Sequence, residues 1–346
     1  MFARGAPTSP RQWKRGLILG HNHIGDVMYR TCSLPVLQQH LPGCEWDYLA
    51  GPVSADVLVG NPAIRRTYTY QFGEDSWNLR PNALAELRRR AYDVVLCSNI
   101  LRYYPDLLLA LGLGVSNRVG YTLKGFSGLV TFPVEAGFPQ SYPGYFRNMV
   151  AAVAGISPTW ELTPRLYPSR EDEAAADAAW RAMMLSGSPV IAASITTRQA
   201  GAWPQEHYLR ALEIVHDQTG ATTVLFGAPD ELEILRAAAT TCRAPCIVLD
   251  SGLNLRALAC LLRRCAAALT PDSGPRHLAN AVGTPVVFGR NLTARKIETG
   301  TYCATEVDAG PADELVDPGQ VKSIVARLDP AHTASKILRV MRQRPA

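Results

Sequence analysis

Short runs of β-branched and aliphatic residues recur along this chain and alternate with stretches whose apolar positions fall at helical spacing. The runs Gly16-Leu17-Ile18-Leu19, Glu45 to Leu49, Thr67 to Tyr70 and Val94 to Cys97 have strand length, and helical patterns lie between them over Asp26 to Gln39, near Ser54 to Val59 and over Asn82 to Arg90. Proline and glycine thicken from Gly120 to Tyr145, ahead of an apolar helix at Phe146 to Ala154. After a helix at Glu171 to Met184 the alternation resumes. Strands are expected at Val190 to Ser194, Thr222 to Phe226, Cys246 to Leu249, Ala267 to Leu269 and Pro285 to Phe288. Helices are expected at Gln205 to Gln218, Pro229 to Ala239, Leu255 to Arg264 and Pro275 to Val282, with a last one around Ser335 to Arg342. Strand followed by helix, repeated twice over, predicts βαβ units in two parallel sheets, an α/β chain of two Rossmann-like halves. The stretch Gly155 to Ser169 carries Pro158, Pro164 and Pro168, and proline resists regular pairing, so the domains are set at 1–160 and 161–346. The final helix is a candidate to pack back on the N-terminal domain.

Composition narrows the class. A chain of 346 residues exceeds what one ordinary core serves, and 47% hydrophobic with 19% charged residues is a globular balance. No apolar run reaches the roughly 18 residues that span a bilayer. The opening stretch MFARGAPTSPRQWKR is basic but has no apolar core of a signal peptide, so a cytoplasmic protein is expected. The net charge of +5 comes mainly from arginine spread along the chain, not from a block of the kind that binds nucleic acid. It is compatible with an anionic ligand or with peripheral attachment at the inner face of a membrane. Eight scattered cysteines read as free, packed thiols, and the spacings of Cys242, Cys246, Cys260 and Cys265 are not those of common zinc sites. No metal site is assigned.

In open parallel sheets ligands bind beyond the carboxyl ends of the strands, which directs attention to three loops. The first runs Gly20-His21-Asn22-His23-Ile24-Gly25-Asp26. Asp26 reads equally well as a carboxylate facing substrate or as an N-cap of the first helix, while His21, His23 and Gly25 are candidate ligands of whatever substrate binds there. The second is Pro271-Asp272-Ser273-Gly274-Pro275-Arg276-His277, where Asp272 or Ser273 can cap, Gly274 permits close backbone approach, and the free N–H groups of a helix start form an anion site. The third, after the first strand of the second half, offers Thr196, Thr197 and Arg198 as donors to phosphate oxygens, with Trp203 read as a core anchor.

The ordered set IGDVMYRTCSLPVLQQHLPGCEWDYLAGP, NPAIRRTYTY, YDVVLCSN, RVGY, TTRxxxxWPQEHY, VLFGAPDE and LTPDSGPRHLANAVGTPVVFG resembles glycosyltransferase family 9, the ADP-heptose lipopolysaccharide heptosyltransferases, from about Gly16 to Phe288. The resemblance implies a GT-B fold, two Rossmann-like domains facing across a cleft, the first binding the acceptor and the second the nucleotide-sugar donor. It implies inversion at the anomeric carbon, with Asp26 as the base that removes the acceptor hydroxyl proton. Asp272 would bind donor sugar hydroxyls, Ser273, Gly274 and their neighbours would hold the departing diphosphate, and Asp26 would face that turn across the cleft. A lipopolysaccharide inner core, another glycolipid or a glycoside is the implied acceptor. No cofactor is required by such chemistry.

One departure stands out. The family has a lysine shortly before the Trp-Pro, and the matching position here is Gly201, with no lysine from Ile195 to Tyr208. Arg198, Lys296 or a bound divalent cation are candidates to replace its charge, and His277 completes the donor-side set. The missing lysine also motivates an alternative, a non-catalytic nucleotide-sugar binding protein of the same fold. A dinucleotide-dependent oxidoreductase is disfavoured because no G-x-G-x-x-G follows a strand.

Overall fold

The computed structural model describes residues 6–20, 22–71, 79, 81–100, 103–122, 127–185, 187–197, 203–311 and 316–343. The chain divides into two compact units, Met1–Tyr167 and Pro168–Ala346, a division that lies inside the proline-bearing stretch.

In the first unit the order is β1 (Arg15–Leu19), α1 (Ile24–Arg30), α2 (Leu34–His40), β2 (Glu45–Ala50), β3 (Arg66–Thr69), α3 (Pro81–Arg89), β4 (Val94–Cys97), α4 (Tyr103–Gly112), β5 (Asn117–Tyr121), β6 (Phe132–Val134) and α5 (Tyr142–Ala154). Its sheet runs β3-β2-β1-β4-β5-β6, and every neighbouring pair is parallel. Side chains from both faces of the central strands are buried, which is why these strands read as unbroken apolar runs: Leu17, Ile18 and Leu19 of β1 and all four residues of β4 are fully covered.

The second unit contains α6 (Arg170–Ala182), β7 (Val190–Ala193), α7 (Gln205–Thr219), β8 (Thr222–Leu225), α8 (Leu232–Thr241), β9 (Cys246–Val248), α9 (Leu255–Leu262), β10 (Ala267–Pro271), α10 (Gly274–Ala281), β11 (Val286–Gly289), α11 (Lys296–Thr299), β12 (Glu306–Asp308), α12 (Val321–Val325) and α13 (Pro330–Gln343). Its parallel sheet is ordered β12-β11-β10-β7-β8-β9. The last helix, α13, lies along α7 and against β10 and β11 of its own unit. Among the described residues no helix is long and apolar enough to cross a membrane.

Several elements differ from the sequence reading. The helix expected over Asp26 to Gln39 is two helices, α1 and α2, because Pro35 sits in the first turn of α2, and in a continuous helix its ring would strike the carbonyl of Thr31. β6 lies within the proline- and glycine-rich stretch, and α4 and β5 precede or enter it. No disulfide joins any of the eight cysteines, and Cys32, Cys44, Cys97, Cys260 and Cys265 are buried.

α6 packs against α9, and one carboxylate organises both helix starts. Asp172 accepts from the Ser169 N–H at 2.8 Å in a capping box, from Asn254 Nδ2 at 2.7 Å and from Arg256 Nε at 2.9 Å. Burial by itself raises the Asp172 carboxyl, but the Ser169 N–H, Asn254 and Arg256 outweigh it and hold the group down at about 2, below its ordinary 3.8. Because the folded-state value is depressed, the stabilisation is complete above pH 3.8 and is lost as pH falls through about 2. Asp172→Ala is expected to cost about 2–3 kcal/mol at neutral pH. Denaturant unfolding across a pH series should show the gap between the two proteins narrowing only below pH 3.8.

Candidate active site

A parallel sheet whose strand order reverses leaves a crevice at the carboxyl ends of the two strands where the reversal occurs. In the first sheet those strands are β1 and β4, and in the second they are β7 and β10. Asp26 follows β1, Ser98 and Asn99 follow β4, Thr196 and Thr197 follow β7, and Asp272 follows β10.

In the first unit Gly20 follows β1, with its N–H on the Leu49 carbonyl at 2.9 Å. A Cβ at Gly20 would lie 2.2 Å from the Tyr48 ring and 2.8 Å from the Leu49 oxygen, so only glycine lets the chain turn here. His23 is the exposed N-cap residue of α1, Gly25 is half-buried in the first turn, and Asp26 occupies the third helical position. Asp26 is therefore not the N-cap. Its side chain, 29% exposed, accepts from the Tyr29 hydroxyl, and Arg30 Nη1 stands 3.9 Å from its Oδ1. Both partners were missed in the sequence, although Tyr29 and Arg30 lie at i+3 and i+4, on the same helix face. His21 lies outside the described residues.

Arg30 is buried and ties the ends of the two central strands together. Its Nε donates to Ser98 Oγ at 2.9 Å and its Nη2 to Asn99 Oδ1 at 2.9 Å, while Asn99 Nδ2 donates back to the Gly20 carbonyl at 2.9 Å. Tyr48 and Tyr121 are buried nearby in the fold with no hydroxyl partner among the described residues. Burial pushes both phenols up, and the charge of Arg30 acts against it.

In the second unit α10 begins directly after β10, with Ser273 at the N-cap position and Gly274 and Pro275 in the first turn. Ser273 makes no side-chain cap bond, and its Oγ is buried without a partner among the described residues, as are the hydroxyls of Thr196 and Thr270. Buried hydroxyls are nearly always bonded, and these three lie at or next to the carboxyl ends of the neighbouring strands β7 and β10. Thr197 is half-buried beside Thr196. Arg198 and Gly201 lie outside the described residues.

Asp272 turns to Arg276, one helical turn on, with Nη1 to Oδ1 at 2.7 Å. Burial raises the Asp272 carboxyl above its ordinary value, and Arg276 acts in the opposite direction. Arg276 itself is enclosed. Its Nε and Nη2 form a fork on Glu306 at 2.7 and 2.8 Å, Nη1 also donates to the Thr299 carbonyl at 2.7 Å, and its guanidinium lies 3.6 Å from the centre of the Phe288 ring. Arg276 and Glu306 were not singled out in the sequence. The i, i+4 spacing from Asp272 was a signal for the first, but Glu306 arrives from β12 and no local pattern announces it. His277 is buried with Nδ1 2.6 Å from the Tyr302 hydroxyl. Lys296 is half-buried at the start of α11, whose last carbonyl Arg276 holds. Trp203 is 4% exposed, edge-on to His207 at 4.8 Å, and packed against Gly289, where a Cβ would meet its ring at 2.9 Å. Its reading as a core anchor holds.

Residues 84–290 match the family described as glycosyltransferase family 9 (heptosyltransferase). The chain belongs to glycosyltransferase family 9. This family 9 enzyme is 25% identical over 286 residues to lipooligosaccharide heptosyltransferase 2 of Haemophilus influenzae, a match covering 78% of this chain and 81% of the relative. Its fold resembles that of a family 9 glycosyl transferase from Veillonella parvula, with a TM-score of 0.79 at 20% identity over 96% of this chain and 98% of the other. It also resembles Escherichia coli ADP-heptose LPS heptosyltransferase II, with a TM-score of 0.73 at 20% identity over 95% and 99% of the two chains. The two-unit α/β architecture is that of the GT-B heptosyltransferases. The matched segment contains Thr196 and the Asp272 turn and does not reach Asp26 or Lys296. Among the described residues no group of three or more His, Cys, Asp or Glu side chains is placed to hold a metal ion.

The first unit thus presents an anchored, partly exposed carboxylate after β1. The second presents buried hydroxyls, a helix start and a buried imidazole after β10 and β7. Burial and then the charge of Arg276 hold His277 well below 6.5. Below that pH the unfolded chain binds a proton that the folded one does not, so this residue's contribution to stability falls as pH drops through 6.5. The His277 ring protons should keep constant NMR shifts from about pH 8 to about pH 5. A titration centred near 6.5 would contradict this placement.

Proposed function

We propose that this glycosyltransferase moves a heptose from ADP-heptose to a hydroxyl of a lipopolysaccharide-type acceptor, with inversion at the anomeric carbon. The acceptor oxygen attacks C1 of the sugar, its proton passes to Asp26, and the bond from C1 to the diphosphate oxygen breaks. A neutral hydroxyl attacks poorly, and a carboxylate within hydrogen-bond reach supplies proton acceptance as charge develops. ADP leaves with the added negative charge.

The observation that carries the donor assignment is the set of Ser273, Thr196 and Thr270 hydroxyls without a partner among the described residues at the strand ends, next to the Gly274 N–H that opens α10. Preorganised donors of this kind stabilise charge on a departing diphosphate without reorganising. Asp272, held by Arg276, is assigned to donor sugar hydroxyls, with His277, Gly274 and Thr197 completing the surroundings. His23 and Gly25, beside Asp26, are assigned to the acceptor. The names of the relatives, one acting on lipooligosaccharide and one described with ADP-heptose, support these substrates. Counter-charge for the diphosphate comes from Lys296 or Arg198 in place of the lysine that Gly201 replaces. The same role for a divalent cation entering with the donor predicts loss of turnover in EDTA. The acceptor would bring the enzyme to the cytoplasmic face of the inner membrane.

Asp26→Asn should lower transfer by about a hundredfold or more, while calorimetry shows ADP binding within about twofold of wild type, since Asp26 belongs to the acceptor side. Turnover of the variant within about tenfold of wild type would rule out Asp26 as the base. Ser273→Ala should weaken ADP binding about tenfold to a hundredfold, the loss of one hydrogen bond to a charged group.

A further inference from the structure

Arg30 carries more than a structural role explains. Its side chain is only 4% exposed, and among the described residues Asp26 supplies the carboxylate within 4 Å of its guanidinium. Nη1 donates to the Asp26 carbonyl and stands 3.9 Å from Oδ1, Nε reaches Ser98 Oγ at 2.9 Å, and Nη2 reaches the Ser98 carbonyl at 3.2 Å and Asn99 Oδ1 at 2.9 Å. Asn99 is itself fixed, donating to the Gly20 carbonyl at 2.9 Å and to Asp106 Oδ2 at 3.0 Å. Neutral donors would serve to join Ser98 and Asn99 to β1. A buried positive charge is costly to desolvate, and its presence here makes sense through the negative charge of Asp26. The same oxygen of Asp26, Oδ1, takes the Tyr29 hydroxyl, and the Tyr29 ring is stacked on Tyr142 with centroids 6.3 Å apart. Asp26 is thus held at its carboxylate by the Tyr29 hydroxyl and at its backbone carbonyl by Arg30, whose charge faces the same carboxylate oxygen at 3.9 Å.

We propose that Arg30 and Tyr29 are positioning residues for sugar transfer: Arg30 fixes the Asp26 backbone to the end of β4 with its charge facing the carboxylate, Tyr29 holds the carboxylate itself, and together they set kcat without touching either substrate. The proposal rests on the reading of Asp26 as the acceptor-side base. A base displaced by about 1 Å loses on the order of a hundredfold in rate, whereas substrate binding does not depend on its aim.

The test measures steady-state transfer for Arg30→Ala, Arg30→Lys and Tyr29→Phe in the full chain, beside Asp26→Asn, with thermal unfolding of each. Arg30→Ala should lower kcat about thirtyfold to a hundredfold while the KM values for donor and acceptor stay within about twofold. Added guanidinium ion at non-denaturing concentration should restore part of that loss. Arg30→Lys, which keeps the charge but not the planar fork, should fall between wild type and Arg30→Ala. Tyr29→Phe should lower kcat about threefold to tenfold at unchanged Tm. If Arg30→Ala does not fold, Arg30→Lys and Tyr29→Phe decide. Folded variants with kcat within about twofold of wild type, or a loss confined to KM, would overturn the positioning role while an inactive Asp26→Asn left the base assignment standing. An active Asp26→Asn would instead remove the reading on which the proposal rests.

Discussion

A sheet of parallel strands that grows outward in both directions from its first strand must reverse once, and at the reversal the connecting helices leave to opposite faces. The gap left over the carboxyl ends of the two central strands is the constraint from which the rest of this protein follows. β1 and β4 form that pair in one unit and β7 and β10 in the other. Asp26 follows β1 at the first gap, and Asp272 with Ser273 follows β10 at the second. Neither could act from a strand interior, where parallel pairing and helices on both faces exclude a ligand.

Such a gap exposes strand-end carbonyls and helix starts, and both units meet the problem with a buried arginine. Arg30 reaches from α1 to the end of β4, and Arg276 from α10 to β12 and the end of α11. A planar fork suits this task because one side chain can bond carbonyls and a carboxylate in fixed directions, which a lysine cannot. The desolvation of Arg276 is offset by the two-pronged Glu306 contact, by Asp272 and by the face of Phe288. In each case the arginine follows an aspartate by four residues and lies close to its carboxylate, Arg276 Nη1 at 2.7 Å and Arg30 Nη1 at 3.9 Å.

The alternation of apolar strands and amphipathic helices was legible because central parallel strands are buried on both faces, and all four residues of β4 or β11 are apolar or small for that reason. The edge strands β6 and β12 were not legible. Phe132–Val134 contains a proline and Glu306–Asp308 two carboxylates, choices that only an edge position permits. Trp203 was correctly read as packing, since a large indole beside a helix start has an apolar body to bury. The alternative of Asp26 as an N-cap failed because the chain enters α1 at His23 and leaves Asp26 in the third position.

Local order in the chain was enough to determine the α/β class, the two series of strands, and the three loops in which donors and acceptors concentrate, since each of these depends on residues within one turn or one strand of each other. Which of those polar groups are used against one another depended on contacts across long stretches of sequence. Ser98 with Arg30, Glu306 with Arg276, and the hydroxyls of Ser273, Thr196 and Thr270 without a partner among the described residues could be told apart only after folding, because burial decides which polar atoms must find a protein partner.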